Sequence, residues 1–423
     1  MSTQRPDDTL ERVLDKDNLR RAYRAVRRNQ GAPGIDGMSI VETARHLKSH
    51  WPTLEEKLRE GRYTPSPVRG VSIPKANGGE RLLGIPTVQD RLIQQAITQV
   101  VSERWDGGFS EHSYGYRPGR SAHDAVRAAQ RYIEEGKKWV VDLDISAFFD
   151  EVNHDILMHR VAEREGDKRV LRLLGRYLRA GIEVDGQREK RTRGVPQGSP
   201  LSPLLANIYL DPLDKELERR GLSFCRYADD VTIYVASERS AQRVLGSIST
   251  WIERHLKLRV HPGKSGTGRP WQRPYLGFTL GRDARIQIAQ RSVERFKERV
   301  RAHWDVQRPG TGREHVASWR TYLTGWCAYF GLTQARSSLH RWEGWVRRHM
   351  RKYFWQRWHN RQGRLRALKR LGAQRYHWRI ASSRRGAWRI AASPALTTVL
   401  SRAKLAQFGL WVPSQVWAMS DSR

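Results

Sequence analysis

The chain has 423 residues, enough for two or three domains that each bury a core. Its 77 Lys and Arg against 44 Asp and Glu leave a formal net charge of +33, which repels itself in a compact state unless a polyanion neutralises it, so nucleic acid is the leading partner. No apolar run approaches the roughly 20 residues of a spanning helix, residues 1–12 carry no apolar signal core, and the two cysteines, Cys225 and Cys327, form no C-x-x-C pair, which argues against a membrane location and a zinc module and for a reducing, cytoplasmic setting.

Taken in chain order, Leu10, Val13, Leu14, Leu19, Ala22, Tyr23 and Val26 recur at near-helical spacing and predict an amphipathic helix within residues 1–30. Gly31-Ala32-Pro33-Gly34-Ile35-Asp36-Gly37 breaks it with a loop suited to close approach of a partner. A helix over about 40–60 follows. Residues 63–86 then alternate apolar and polar between Gly and Pro breaks, which predicts a two-stranded ribbon with Ala76-Asn77-Gly78-Gly79 at its tip and the cations Lys75 and Arg81 on either side. Helices are predicted at 88–104, 121–135, 153–164 and 168–179. In the third, Asp155 is a plausible cap and His154 reads as structural.

Between the second and third of these helices lies Trp139-Val140-Val141-Asp142-Leu143-Asp144-Ile145, an apolar run interrupted by two aspartates. Charges inside a buried strand are rare unless paired or metal-bound, so the interruption is informative. A turn-rich stretch, Gly194-Val195-Pro196-Gln197-Gly198-Ser199-Pro200, leads into a helix over about 204–219. Then Phe224-Cys225-Arg226-Tyr227-Ala228-Asp229-Asp230-Val231-Thr232-Ile233-Tyr234-Val235 reads as a strand, a tight turn and a strand with two carboxylates at the bend. A helix at 239–256, the loop His261-Pro262-Gly263-Lys264 and a short strand at 275–278 complete this half.

From about residue 290 the chain becomes helical, basic and rich in tryptophan. Residues 331–390 hold 17 Lys and Arg against one acid, Glu343, with Trp342, Trp345, Trp355, Trp358, Trp378 and Trp388 interleaved. So one-sided a block calls for phosphate. Trp342, Trp345 and Trp355 are spaced equally well for packing a helix face and for stacking on bases.

Hard oxygen ligands at the bend suit Mg²⁺, although a bare Asp-Asp pair is also what a solvated turn looks like. Nucleotidyl transfer needs carboxylates from rigid neighbouring elements to bridge two metal ions, and Asp144 on one strand with Asp229 at the hairpin, Asp230 beside it, meets that need.

At this point the sequence closely resembles the reverse transcriptase and maturase proteins encoded by bacterial group II introns. Tyr227-Ala228-Asp229-Asp230 looks like their catalytic box, Asp144-Ile145-Ser146-Ala147-Phe148-Phe149-Asp150 their first carboxylate motif, and 194–200 their nucleotide-pocket motif. His261-Pro262-Gly263-Lys264-Ser265 and Tyr275-Leu276-Gly277-Phe278 resemble the two motifs that follow. Residues 31–40, 73–86 and 113–121 are similar to the fingers blocks, and Tyr322-Leu323-Thr324-Gly325-Trp326-Cys327-Ala328-Tyr329-Phe330 to the maturase thumb. Order and spacing hold from about 20 to 415.

The resemblance implies a mixed α/β (α+β) right-hand polymerase fold: fingers and antiparallel-sheet palm over 1–288, a helical thumb or maturase domain over 289–365, and a small basic DNA-binding domain over 366–423. It implies that Asp144 and Asp229 bind two Mg²⁺ ions, with Asp230 completing the acidic cluster and Ile145 also in the metal-binding set. Lys75 and Arg81 would grip the triphosphate of a deoxynucleotide substrate. Phe149 would lie under the sugar and exclude a 2′-hydroxyl, with a plain core aromatic as the alternative. Gln197 would contact the nucleotide, and Lys264 would protonate the leaving pyrophosphate unless it is only a surface charge. Leu82 stands where the family often has proline.

Many members carry a C-terminal endonuclease rich in Cys and His. This sequence reaches Arg423 without one, as in the compact subclass that primes on single-stranded or open DNA. The implied activity is RNA-directed DNA polymerase, in a chain that binds its group II intron RNA to assist splicing and copies it into DNA at a target site, with target DNA and a primer strand as further partners. A related reverse transcriptase recruited to phage defence or CRISPR spacer acquisition is the alternative. Intact Asp144, Asp229 and Asp230 count against an RNA-binding protein with a dead polymerase site, since an unused cluster of acids is a standing electrostatic cost. Cognate RNA and oligomeric state, a homodimer included, stay open.

Overall fold

The structure is a computed structural model and describes residues 8–74, 79–336 and 340–421. The chain divides into two compact units, Met1–Arg269 and Pro270–Arg423.

The N-terminal amphipathic stretch forms two helices, α1 (Thr9–Leu14) and α2 (Lys16–Asn29), rather than one. The break is at Asp15, whose carboxylate accepts the backbone N–H groups of Asp17 and Asn18 and so starts a new helix. Both helices pack on α4 (Val88–Asp106). Before it come α3 (Ile40–Arg59), begun by a Ser39/Glu42 capping box, and the expected ribbon β1 (Val68–Pro74) and β2 (Glu80–Ile85). The ribbon is antiparallel with Ile73 opposite Arg81. Its tip with Lys75 lies outside the described residues.

Next come α5 (Ala122–Glu134), β3 (Trp139–Asp144), α6 (Phe148–Glu151), α7 (His154–Ala162) and α8 (Lys168–Arg179). The cap of α7 is Asn153, which accepts from the N–H groups of Asp155 and Ile156, and not Asp155, which lies in the first turn. His154 is buried and its Nε2 donates to the Gly194 carbonyl at 2.8 Å, a structural role. A hairpin absent from the sequence reading, β4 (Ile182–Val184) and β5 (Gln187–Glu189), extends the ribbon sheet, with β4 parallel to β1.

After α9 (Ser202–Arg219) the palm sheet is completed by β6 (Ser223–Tyr227), β7 (Asp230–Val235) and, beyond α10 (Glu238–Leu256), β8 (Gly266–Gly268). Its order is β6-β7-β3-β8, every pairing antiparallel. Burying its inner face brings together Val141, Leu143, Phe224, Val231 and Ile233 with Ile248 and Ile252 of α10, all inaccessible to solvent. Asp142 and Asp144, two residues apart on β3, therefore share the opposite face, each half-buried.

The second unit begins with the hairpin β9 (Phe278–Leu280) and β10 (Ile286–Ile288). The strand expected at 275–278 is instead a tight turn, closed by Tyr275 and Phe278 exchanging backbone hydrogen bonds of 2.9 Å, with Leu276 and Gly277 at positive φ. Four helices follow: α11 (Gln290–His303), α12 (Gly312–Phe330), α13 (His340–Arg357) and α14 (Arg361–Arg370), then shorter helical turns to Asp421. Trp304, Trp319 and Trp355 are fully buried at their centre, while Trp342, Trp345, Trp358 and Trp378 pack around it half-buried. Cations cover their outer faces: Arg364 over Trp355 at 4.6 Å, Lys369 over Trp378 at 4.7 Å and Arg348 over Trp388 at 4.0 Å. Packing claims these rings.

Phe224→Ala, which opens a cavity under the palm sheet, is expected to destabilise the first unit by about 3–5 kcal/mol. Denaturant unfolding of the full chain followed by circular dichroism measures this, and a loss below 1 kcal/mol would show that the sheet does not close over this side chain.

Candidate active site

Asp144 is the last residue of β3 and pairs directly with Asp230, the first residue of β7. Residues opposed in an antiparallel pair project from the same face, so the two carboxylates are neighbours. Asp229 occupies the two-residue turn that links Tyr227 to Asp230, after Ala228 in the left-handed region at φ 60°. Asp142, two positions back on β3, completes a group of four acids at one end of the sheet. The sequence reading did not select it, although the period of two that places Asp144 outward places Asp142 outward as well.

Burial and the neighbouring charges push Asp229 and Asp230 toward their neutral form. For Asp229 burial acts first, then the charge of Asp144, with Arg81 and Arg226 opposing. Asp230 is driven up to about 7, by burial and then by Asp142, Asp229 and Asp144. Such a cluster of hard oxygen donors, each disfavouring its neighbour's charge, fits a divalent cation. As the side chains stand, no three His, Cys, Asp or Glu among the described residues are gathered around a point that would hold one.

The backbone beneath the acids is fixed from two directions. On β3, His261 N–H donates to the Asp144 carbonyl at 2.8 Å, and the Ser265 hydroxyl accepts from the Asp144 N–H at 2.9 Å. Lys264 of the same loop brings Nζ within 3.6 Å of Asp144 Oδ1. The side chain of Ile145 is buried in the core, which leaves its carbonyl as the one group it could offer a metal.

At the hairpin, Arg226 is wholly buried. Its guanidinium forms a two-pronged ion pair with Asp214 of α9 at 2.7 and 2.6 Å, and also donates to the Asn207 side chain and to the Ala228 carbonyl, both at 2.9 Å. Asn207 in turn donates to the Gly115 carbonyl at 2.9 Å. A Cβ on Gly115 would lie 2.3 Å from the Ala228 nitrogen, so only glycine lets this segment back the turn.

Beside the acids lies a cavity of about 540 Å³ lined by Arg81, Arg91, Tyr116, Phe149, Gln197 and the start of α9. Three of the residues selected from the sequence, Arg81, Phe149 and Gln197, thus converge from separate segments. Phe149 is half-buried, edge-on against the core ring of Phe148 at 5.1 Å, and also lines the cavity. The Gln197 carbonyl accepts from Gly84 N–H at 2.9 Å, tying the pocket loop to β2. Tyr116 was missed. Its phenol is pushed up by burial and then by the charge of Asp229, which joins the cavity to the acidic turn.

An antiparallel sheet ending in opposed acids beside a cavity with cationic walls defines a polymerase palm of the reverse transcriptase type. Residues 73–280 match the family described as reverse transcriptase (RNA-dependent DNA polymerase), and residues 293–372 the group II intron, maturase-specific domain. The chain belongs to the group II intron-encoded reverse transcriptase and maturase family. It is similar to Protein YkfC of Escherichia coli (strain K12), 32% identical over 296 residues that cover 60% of this chain and 78% of YkfC. It is also similar to the group II intron-encoded protein LtrA of Lactococcus lactis subsp. cremoris, 36% identical over 213 residues covering 48% of this chain but 34% of LtrA, so the match spans about a third of that relative. Among solved structures, a partial Cas6-RT-Cas1–Cas2 complex matches at 28% identity and a TM-score of 0.38, covering 59% of this chain and 41% of that one. No helix among the described residues is long and apolar enough to cross a membrane.

Because the folded Asp230 carboxyl binds its proton up to about pH 7, against an ordinary value of 3.8, protonation favours the native state. In metal-free protein its contribution is complete below about pH 3.8, declines as the pH rises and is gone above about 7. Thermal melts in chelator should therefore show Asp230→Asn gaining on the unsubstituted protein between pH 5 and 8. Parallel pH profiles would place Asp230 in a solvated position.

Proposed function

We propose that this chain is a Mg²⁺-dependent RNA-directed DNA polymerase that binds a group II intron RNA, assists its splicing and copies it into DNA from a primer at a target site. The observation that carries the reading is the register of β3 and β7, which sets Asp144 against Asp230 at the turn bearing Asp229, next to the cavity shared by Arg81, Phe149 and Gln197.

Asp144 and Asp229 would hold two Mg²⁺ ions, with Asp230, Asp142 and the Ile145 carbonyl at the margin of the set. When bound, such a pair of ions lowers the pKa of the attacking 3′-hydroxyl and steadies the pyrophosphate that leaves. The remaining work belongs to the chain. Arg81, near the start of β2, grips the triphosphate as a charge-assisted donor, and Lys75 is assigned the same task. Gln197 positions the nucleotide. The ring of Phe149, braced by Phe148, lies under the sugar and leaves no room for a 2′-hydroxyl. Lys264 donates a proton to the departing pyrophosphate, and its ion pair with Asp144 keeps it near the reacting end of the sheet. The thumb or maturase domain over 289–365 and the basic domain over 366–423 supply the surfaces for intron RNA and target DNA.

Replacing Asp229 and Asp230 together by alanine should abolish Mg²⁺-dependent primer extension on an RNA template while leaving RNA binding intact. Retained extension would remove the polymerase centre from this turn. Affinity for structured RNA should fall steeply between 50 and 200 mM salt, because counterions released into a more concentrated solution gain less entropy, by about a thousandfold for some six phosphate contacts. A flat response would contradict a basic RNA-binding surface.

A further inference from the structure

The second unit contains an apolar cavity of about 780 Å³, within the range of about 300–1,000 Å³ common for small-ligand sites. Helices α12, α13 and α14 enclose it together with residues on either side of the helix Arg402–Gln407. Phe354 and Trp358 line it together with the buried Leu400 and Leu410. Phe408 lines it too and leaves 48% of its surface exposed, an aromatic face open to a visitor.

Its rim is cationic. Arg313, Arg320 and Arg370 border the cavity, are exposed, and take part in no ion pair among the described residues. Arg320 is held in place by stacking on Trp411, 4.2 Å from its ring centroid. Next to Phe408, Gly409 has φ 76°, and a Cβ there would meet Arg320 Cδ at 3.1 Å, so the backbone is shaped to let that arginine reach the rim.

An apolar floor, an open aromatic face and three unanswered guanidinium groups match a ligand with a flat ring and flanking negative charge. An apolar helix or a lipid tail would cover the floor and leave the cations unpaired. We propose that the cavity seats a single unpaired nucleobase of bound RNA, stacked on Phe408, with the adjoining phosphates held by Arg313, Arg320 and Arg370. This rests on the reading that the chain binds intron RNA, and adds to it a place where one extruded nucleotide is recognised.

The test uses the full chain and two RNA hairpins, one carrying a single bulged 2-aminopurine and one fully paired. The unsubstituted protein is expected to bind the bulged hairpin about tenfold more tightly, with a change in 2-aminopurine fluorescence. Phe408→Ala should remove that preference and leave affinity for the paired hairpin unchanged, and Phe408→Trp should keep it. Arg370→Gln should weaken the bulged hairpin and lower its salt slope by about one. The proposal is overturned if Phe408→Ala leaves the preference intact, weakens both hairpins alike, or alters self-association without touching the preference, which would make the cavity a contact between two copies. If the unsubstituted protein binds neither hairpin, the RNA-binding reading fails as well.

Discussion

Four like charges gathered at one end of a sheet work against folding, and the structure depends on how that repulsion is contained. The containment is a buried ion pair. Arg226, inside the strand that leads to the acidic turn, neutralises Asp214 with both prongs of its guanidinium and uses what remains to hold Asn207 and the Ala228 carbonyl. Neither partner has any exposed surface, so removing one would leave a charge uncompensated at a cost of about 3–5 kcal/mol. Such a pair adds little net stability when intact. What it adds here is geometry, because the Ala228 carbonyl it grips belongs to a residue in a left-handed conformation that L-amino acids seldom adopt. The half-buried acids keep their places at the end of the sheet because the turn beneath them is gripped in this way.

The second unit meets the opposite problem, an excess of cations, with aromatic rings. Tryptophan supplies a large apolar body for the core and a negative face for a neighbouring arginine or lysine. One side of Trp355 packs inward while Arg364 covers it, and the same division holds for Trp378 with Lys369. Interleaved Trp and Arg, which in a linear sequence read as well for base stacking as for packing, are thus one device with two sides: the rings build the core, and the cations they hold cover it, Arg364 half-buried and Lys369 exposed.

Much of this is legible in the sequence. The helices announce themselves through spacing and caps, the ribbon through its Gly and Pro breaks, and the acidic turn through strand-like flanks around Asp229 and Asp230. The interrupted strand at 139–145 led to Asp144 because a carboxylate in an apolar run needs a reason. Asp142, and Arg226 in Phe224-Cys225-Arg226-Tyr227, are charges in apolar runs that need a reason just as much. The β4–β5 hairpin carried an Asp185-Gly186 turn signal, hidden by flanks of only three residues, several of them charged. The split at Asp15 was concealed because the apolar spacing continues across it. Tyr116 and Arg91 reach the cavity through tertiary packing alone, and nothing local marks them.

The loop that pins Asp144 has a consequence in time. Ser265, which grips the Asp144 backbone, lies 121 residues further along the chain. At a synthesis rate of about 5–20 residues per second, some 6–24 s separate the two on the ribosome. An emerging chain therefore displays its acidic strand well before the segment that orders it exists, and a truncated product ending before that segment would be a basic polypeptide without a working palm. Translation must run past the last of the four acids and on through β8 before the palm sheet can close, so the topology itself sets the order in which its parts can assemble.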